Sequence, residues 1–211
     1  SLFVNASSWG LLITGSMVNY ADKRKQDSFG LLKRTVGRLG EPVIRKSMNF
    51  AMKIMGKQFV MGETIVAATE RAAAKEQQGY VYSYDMLGEG ARTMADADRY
   101  FKSYEQAIAT IGAVAVASGK NDPRKVPGIS VKLSAIHPRY EFTDKARVMA
   151  EIVPKLKTLC LQAKQFNIGL TVDAEESERL DISLDVIEAV FSDNQLADWH
   201  GFGMALQAYQ K

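Results

Sequence analysis

The chain has 211 residues, 46% of them hydrophobic and 24% charged, which is the composition of a globular protein with room for a sizeable core. A formal net charge of only +3, with its densest basic run at residues 23–25, argues against a nucleic-acid-binding class. One cysteine, Cys160, and two histidines exclude an internal disulfide framework and a His/Cys metal site, and they favour a reducing compartment.

Residues 1–78 predict a helical arm. The apolar stretch at residues 9–18 is too short to cross a bilayer, so it predicts a packing helix or a surface helix. Pro42 is suited to the first turn of a helix. An alanine-rich helix is predicted over residues 64–78, where Gly79 ends it.

Residues 79–211 predict alternating strands and helices, on the evidence of short apolar runs that alternate with runs of helical period. In chain order these are a strand at 80–87, a helix from Thr93, a strand from 128, a helix at 144–166 that Pro154 kinks or interrupts, a strand at 168–176, a helix at 183–191 and a strand at 201–209. This order predicts an α/β fold with a parallel sheet covered by helices, and it leaves doubly wound and barrel versions open. Four βα units are half of a (βα)8 TIM barrel, so in the barrel version the chain would form an incomplete barrel.

Lys132 stands inside the second predicted strand, between Val131 and Leu133. Burying an ammonium among apolar residues is costly, so we expect Lys132 to face a cavity in which an anion can sit. Ser130 and Ser134 would lie on the same face of a strand and make that interior polar. The alternative is an exposed edge strand on which the lysine prevents aggregation.

Two predicted strands end in carboxylates. Asp85 and Glu89 follow the first strand, where they either favour the start of the next helix or face the barrel mouth and pair with a cation. Asp173, Glu175 and Glu176 end the third strand, where one carboxylate could orient a cationic partner or a cofactor while the others cap the next helix. Charges at the carboxyl ends of consecutive strands are the pattern of a barrel active site.

Three further positions carry weaker signals. Gln207 lies in the fourth predicted strand, where a buried amide needs either the polar edge of a heterocycle or an ordinary backbone contact. His137, in a loop beside a proline, favours a structural role over that of a general base. The segment at 88–93 lacks the third glycine of a dinucleotide-binding loop, so no Rossmann site is expected.

Five sequence blocks, in order along the chain, resemble the proline dehydrogenase domain of the bifunctional bacterial proline utilization A family. The blocks are RKSMNFAMKIMG at 45–56, YSYDMLGE at 82–89, SVKLSAIHPRY at 130–140, DAEE at 173–176 and LQAYQK at 206–211. An ordered set that runs over nearly the whole chain is a stronger signal than any one block.

The resemblance implies a (βα)8 barrel that binds FAD, preceded by a helical arm. It also implies oxidation of L-proline to Δ1-pyrroline-5-carboxylate, with hydride passing to the flavin and electrons then passing to a membrane quinone. A cytoplasmic location is expected, and peripheral attachment to the inner membrane is left open.

The resemblance also implies roles for individual residues. Lys132 matches the lysine that contacts the proline carboxylate. Asp85 and Glu89 match acidic residues around the substrate pocket, with Glu89 as the partner of a carboxylate-binding arginine. The positions that match the flavin environment are Asp173, Ala174 and Gln207.

Several parts of the family enzyme are expected to be missing. The substrate-binding arginines and most FAD contacts would lie downstream, and neither the N-terminal DNA-binding domain nor the aldehyde dehydrogenase half is expected. We therefore expect an arm at 1–78 and the first half of the barrel at 79–211, inactive without the remaining half of the barrel and binding no nucleic acid. The alternatives are a lyase or aldolase that uses Lys132 as a Schiff-base nucleophile, and a non-catalytic half-barrel that associates into a homo-oligomer.

Overall fold

The computed structural model describes residues 45–46, 48–86 and 88–208. The chain divides into two compact units, Ser1–Met61 and Gly62–Lys211. In the first unit, residues 45–46 and 48–59 are helical, and the rest of the predicted arm up to residue 44 lies outside the described residues. The predicted division of the chain after residue 78 stays a prediction.

The second unit alternates helices with short parallel strands. Its elements are α1 (Ile65–Glu76), β1 (Ser83–Asp85), α2 (Met94–Ala117), β2 (Gly128–Val131), α3 (Leu133–Ile136), α4 (Lys145–Gln165), β3 (Leu170–Val172), α5 (Leu180–Phe191) and β4 (Phe202–Met204). Turns of 3-10 helix occupy Phe142–Asp144, Ser177–Arg179 and Asn194–Leu196. The strands form one open sheet in the order β1-β2-β3-β4, and every neighbouring pair is parallel. The predicted α/β fold with a partial barrel is confirmed.

The helix starts follow local signals in the sequence. Thr64 caps α1 by accepting a hydrogen bond from Ala67 N, and Thr93 forms a capping box with Asp96 at the start of α2. Each cap satisfies an amide that would otherwise lack a partner at the helix terminus, which stabilises the helix by about 1 kcal/mol.

The core is built from the strands and from helices α2, α4 and α5. In register, Ile129 of β2 pairs with Leu170 of β3, which pairs with Phe202 of β4. Fully buried aliphatic side chains come from both layers: Ile129, Val131, Leu170, Val172, Ile108, Ile111, Ile152, Leu156, Leu159, Ile182, Val186 and Val190. Because each such side chain contributes about 1.5–3 kcal/mol on burial, this core fixes the sheet and the loops at its carboxyl edge.

All four strands are shorter than predicted, and for two of them this moves a candidate site residue. β2 ends at Val131, so Lys132 lies at the end of the strand and not inside it, and α3 begins at once. β4 ends at Met204, which leaves Gln207 beyond the strand. The period-two face predicted for Ser134 therefore does not apply.

Helix α4 passes through Pro154 without interruption, so of the two predicted effects of this proline the interruption is wrong and the kink stays a prediction. Pro154 and Ala150, whose carbonyl loses its helical partner, are both exposed, so water can satisfy that carbonyl. No helix in the described part of the chain is both long enough and apolar enough to cross a membrane.

Candidate active site

A lysine held by two carboxylates lies at the carboxyl edge of the sheet. Lys132 Nζ donates to Asp85 Oδ1 and Oδ2 at 2.8 and 2.9 Å, and it lies 2.9 Å from Asp173 Oδ2. These residues follow or end β2, β1 and β3, which are adjacent in the sheet. Only 13% of the Lys132 side chain is exposed, against 48% for Asp85 and 30% for Asp173. The predicted charged residues at the carboxyl ends of neighbouring strands are therefore in direct contact with one another.

The surroundings of Lys132 keep its ammonium charged. Burial alone would lower the pKa of Lys132, but the hydrogen bonds to Asp85 and Asp173 outweigh that effect and raise the pKa above its ordinary value. A Schiff-base nucleophile needs a neutral amine and a depressed pKa, which is the opposite of this arrangement. The edge-strand alternative is wrong, because β2 lies between β1 and β3.

Tyr104 of α2 contacts the backbone of Lys132. Its hydroxyl accepts a hydrogen bond from Lys132 N at 3.2 Å, and its side chain is buried. Burial raises the pKa of Tyr104 to about 12, and the Lys132 amide and charge only partly oppose that rise. The hydroxyl therefore stays neutral and fixes the backbone at Lys132. Tyr104 was not among the site residues predicted from the sequence, because a tyrosine within a predicted helix is ordinary.

Glu175 joins the loops that follow β2 and β3. Its Oε1 accepts from Ser134 N at 3.0 Å, and its Oε2 accepts from Arg179 Nη1 at 2.9 Å. Arg179 also pairs with Glu176 at 2.8 Å and stacks over the ring of the buried Tyr140. The expectation that Glu175 or Glu176 caps the next helix is wrong, since neither makes a capping hydrogen bond to the helical turns after β3.

Glu89 and Gln207 line one open cleft of about 520 Å³ above the sheet, together with Lys132, Ser134 and Ala174. A second cleft of about 290 Å³ lies between the ends of β3 and β4, and Gln207 also lines it. The glutamine was expected to be buried, but it is exposed because β4 ends three residues earlier. Tyr209, the last residue of the predicted strand, lies outside the described residues.

The surroundings of His137 and Cys160 indicate structural and not catalytic roles. The buried His137 ring places Nε2 2.9 Å from Glu151 Oε2, while Nδ1 accepts a hydrogen bond from Arg139 N. A ring fixed at both nitrogens, away from the clefts, suits the structural role that its loop position favoured. Burial raises the pKa of Cys160, so this thiol is a packed hydrophobe and not a nucleophile.

Comparison with known proteins identifies the family. The sequence model of the family "Proline dehydrogenase" matches residues 68–211, which is more than half of the chain. The chain belongs to the proline dehydrogenase family. "Bifunctional protein PutA" of Escherichia coli K12 is 51% identical over 211 residues, and that of Rhizobium meliloti is 47% identical. The chain spans 16% of the length of each of these relatives.

Solved structures agree with this assignment. A bifunctional proline utilization A protein matches 84% of this chain, with a TM-score of 0.67 and 54% identity, and the match covers 18% of that protein. The protein from Bdellovibrio bacteriovorus matches 80% of this chain and 18% of its own, with a TM-score of 0.72. At 16% identity, the second likeness supports the fold alone.

One expectation about the N-terminal part of the chain is overturned. The family model "DNA-binding domain of Proline dehydrogenase" matches residues 1–59, so this region is present and not missing. Residues 1–59 contain ten Lys and Arg against three Asp and Glu, whereas residues 60–211 contain seventeen against twenty-one. The whole-chain charge of +3 averages these opposite signs, so it is no ground for expecting that the chain binds no nucleic acid.

Proposed function

We propose that the Lys132 cluster serves the oxidation of L-proline to Δ1-pyrroline-5-carboxylate in an FAD-dependent enzyme. The observation that carries this proposal is a charged, largely buried ammonium held by Asp85 and Asp173 at the carboxyl ends of three parallel strands. Such an ammonium offers a charge-assisted partner to the carboxylate of an amino acid. Family membership supports this choice of substrate.

The ammonium can accept a substrate only by exchanging a partner. Lys132 Nζ has three N–H donors, and its three short contacts are two to Asp85 and one to Asp173. Asp85 holds two of them and is the more exposed carboxylate, so it can release one oxygen to solvent at lower cost. We infer that the substrate carboxylate takes this place while Asp173 keeps the ammonium fixed.

The residues around the cleft suit the ring of a flavin better than its diphosphate. The exposed Gln207 side chain can both donate to and accept from the polar edge of a heterocycle. Lys132 and Arg179, the cations that line the cleft in the described part of the chain, are already paired with carboxylates. Asp173, Ala174 and Gln207 would therefore border the ring, and a bound flavin would supply the hydride acceptor.

Other parts of the proposed enzyme lie beyond this cluster. Glu89, which lines the cleft, would pair with an arginine that binds the substrate carboxylate. The strands β1 and β4 have open edges at which further strands of a barrel would pair, and we propose that activity requires them. Passage of electrons to a membrane quinone, with the protein at the cytoplasmic side of the inner membrane, completes the proposal.

Substitution of Lys132 tests the proposed function. In the protein that carries this chain, Lys132→Met is expected to lower kcat/KM for L-proline about 10- to 100-fold, the scale of a lost hydrogen bond to a charged group. The exposed Lys120→Met is the matched control, and bound flavin is measured from absorbance in each variant. Unchanged kcat/KM in Lys132→Met would refute the role of this lysine. Borohydride should trap no lysine adduct with a carbonyl substrate.

A further inference from the structure

The loop that carries Glu89 has little structure of its own. It runs from Gly88 to Ala91 between β1 and α2 and contains neither helix nor strand. Gly88 and Gly90 have φ values of 148° and 62°, a region that other residues rarely adopt. A Cβ at Gly88 would lie 2.4 Å from the Tyr100 ring, so the loop also lies close against α2. Because this loop contains no helix or strand, contacts from another part of the chain are needed to keep Glu89 in the cleft.

Ser134 holds the loop through two hydrogen bonds. Gly90 N donates to Ser134 Oγ at 3.1 Å, and Ala91 N donates to Ser134 O at 2.9 Å. The two amides follow Glu89 directly, so they fix the backbone from which its side chain projects. Ser134 is 3% exposed, and a hydrogen bond at so buried a position is not replaced by water without rearrangement.

Ser134 is itself fixed relative to the lysine. It lies in α3, two residues after Lys132, and its amide donates to Glu175 Oε1. Arg179 holds the other oxygen of Glu175, so that carboxylate cannot turn away without losing an ion pair. The segment from Lys132 to Ser134 thus carries both the ammonium and the residue that holds the Glu89 loop. This short connection fixes the position of Glu89 relative to Lys132.

We propose that Ser134 is a positioning residue that fixes Glu89 in the cleft and thereby sets the affinity for the substrate. The inference rests on the proposed function, in which Glu89 holds a cation that binds the substrate carboxylate. Ser134 touches neither substrate nor cofactor in this proposal. Its effect passes through the loop backbone, so its loss should weaken binding of proline more than it slows the turnover of bound proline.

The test combines Ser134→Ala with Glu89→Gln in the protein that carries this chain. We expect Ser134→Ala to raise KM for proline about two- to tenfold, the range that one neutral hydrogen bond supports, with kcat nearly unchanged. If Ser134 acts through Glu89, the double variant should be no worse than Glu89→Gln alone. The exposed Ser103→Ala is the matched control and should leave KM unchanged. If the increases in KM caused by Ser134→Ala and Glu89→Gln are additive in the double variant, the proposal is overturned.

A second readout does not depend on activity. Hydrogen exchange of a peptide that covers residues 88–91 should become faster in Ser134→Ala than in the parent, because Gly90 N loses its Oγ acceptor and only the bond from Ala91 N to the backbone carbonyl of residue 134 remains. Unchanged exchange would overturn the anchoring role.

If the parent protein fails to oxidise proline, the proposed function falls, and the exchange result still decides whether Ser134 anchors the loop. Ser134→Cys, which keeps the volume and a weaker acceptor, serves if Ser134→Ala does not fold, with the same direction of change expected.

Discussion

At Lys132, desolvation and ion pairing act in opposite directions, and pairing dominates. The side chain is mostly buried, yet both of its carboxylate partners keep contact with solvent. Removing one partner from a pair in this position should cost more than the ~0–1 kcal/mol of an exposed pair and less than the ~3–5 kcal/mol that is lost when a fully buried pair is broken. The ammonium is therefore charged and oriented before any ligand arrives.

Glu151 provides a test of the electrostatics away from the cleft. The hydrogen bonds that it accepts from Arg147 and then His137 hold the pKa of its carboxyl below the ordinary value. A lowered pKa stabilises the fold above the unfolded-state pKa of about 4.3, and this stability is lost as the pH falls through the folded-state pKa. Glu151→Gln should therefore lower the melting temperature at pH 7, and the difference from the parent should narrow below about pH 4.

The control for this prediction is Glu141→Gln, which changes an exposed carboxylate nearby. Thermal unfolding followed by circular dichroism across pH 3–8 measures both variants. A Glu151→Gln deficit that stays constant from neutral to acidic pH would show that packing, and not charge, explains the effect.

The charged residues of the site were predictable from the sequence, but the residues that hold them in place through hydrogen bonds were not. Lys132, Asp85 and Asp173 are conspicuous because charge is costly within or beside apolar strands. Tyr104 gave no such signal, since a tyrosine within a predicted helix is ordinary, and Ser134 was assigned to the face of a strand although it lies in α3. Their partners lie 28 and 44 residues away along the chain, so only the fold brings them together.

At the scale of elements, helix starts follow local chemistry and strand ends do not. The helices predicted from residue 64 and from Thr93 start where the structure places their caps, because a cap needs only its own next three residues. The end of β2 depends instead on where its neighbours stop, since Val131 is the last residue of β2 that pairs with β3. An apolar run alone therefore overestimates strand length, and this misplaced both Lys132 and Gln207.

The packing of α2 against α4 depends on Gly112. A Cβ at this position would lie 2.2 Å from Cγ of Phe166, the C-cap residue of α4. Those ring atoms lie close to the backbone and cannot swing aside freely. Overpacking of this kind costs about 1–3 kcal/mol, whereas replacing a helical glycine with alanine gains at most about 1 kcal/mol.

Gly112→Ala should therefore lower the free energy of unfolding by about 1–2 kcal/mol, as measured by urea denaturation. Gly56→Ala is the matched helical control, because a Cβ there meets nothing within 4 Å. That variant should be neutral or slightly stabilising. Equal stability of Gly112→Ala and the parent would show that Phe166 moves away without cost.

At the scale of the whole chain, two regions of opposite charge are joined in one sequence. Residues 1–59 are basic and match one family model, whereas the acidic remainder carries the sheet and the cleft and matches another. Fold class was predictable because alternating periodicities extend over the whole second unit. The charge division was not recognised, because a net charge is the sum over the two regions and their opposite signs largely cancel in it.

The open sheet leads to a prediction about the chain in isolation. Within the described part of the chain no strand pairs with the outer edge of β4, and apolar side chains are exposed beside it, among them Leu206 at 62%. Unpaired edges and exposed apolar surface favour association, so residues 1–211 expressed alone should form oligomers whose mass rises with concentration in light scattering. Leu206→Lys should shift the population toward monomer, whereas Val116→Lys, on the exposed face of α2, should not. A parent that stays monomeric at every concentration would contradict the prediction and show that the exposed edge is protected within the chain.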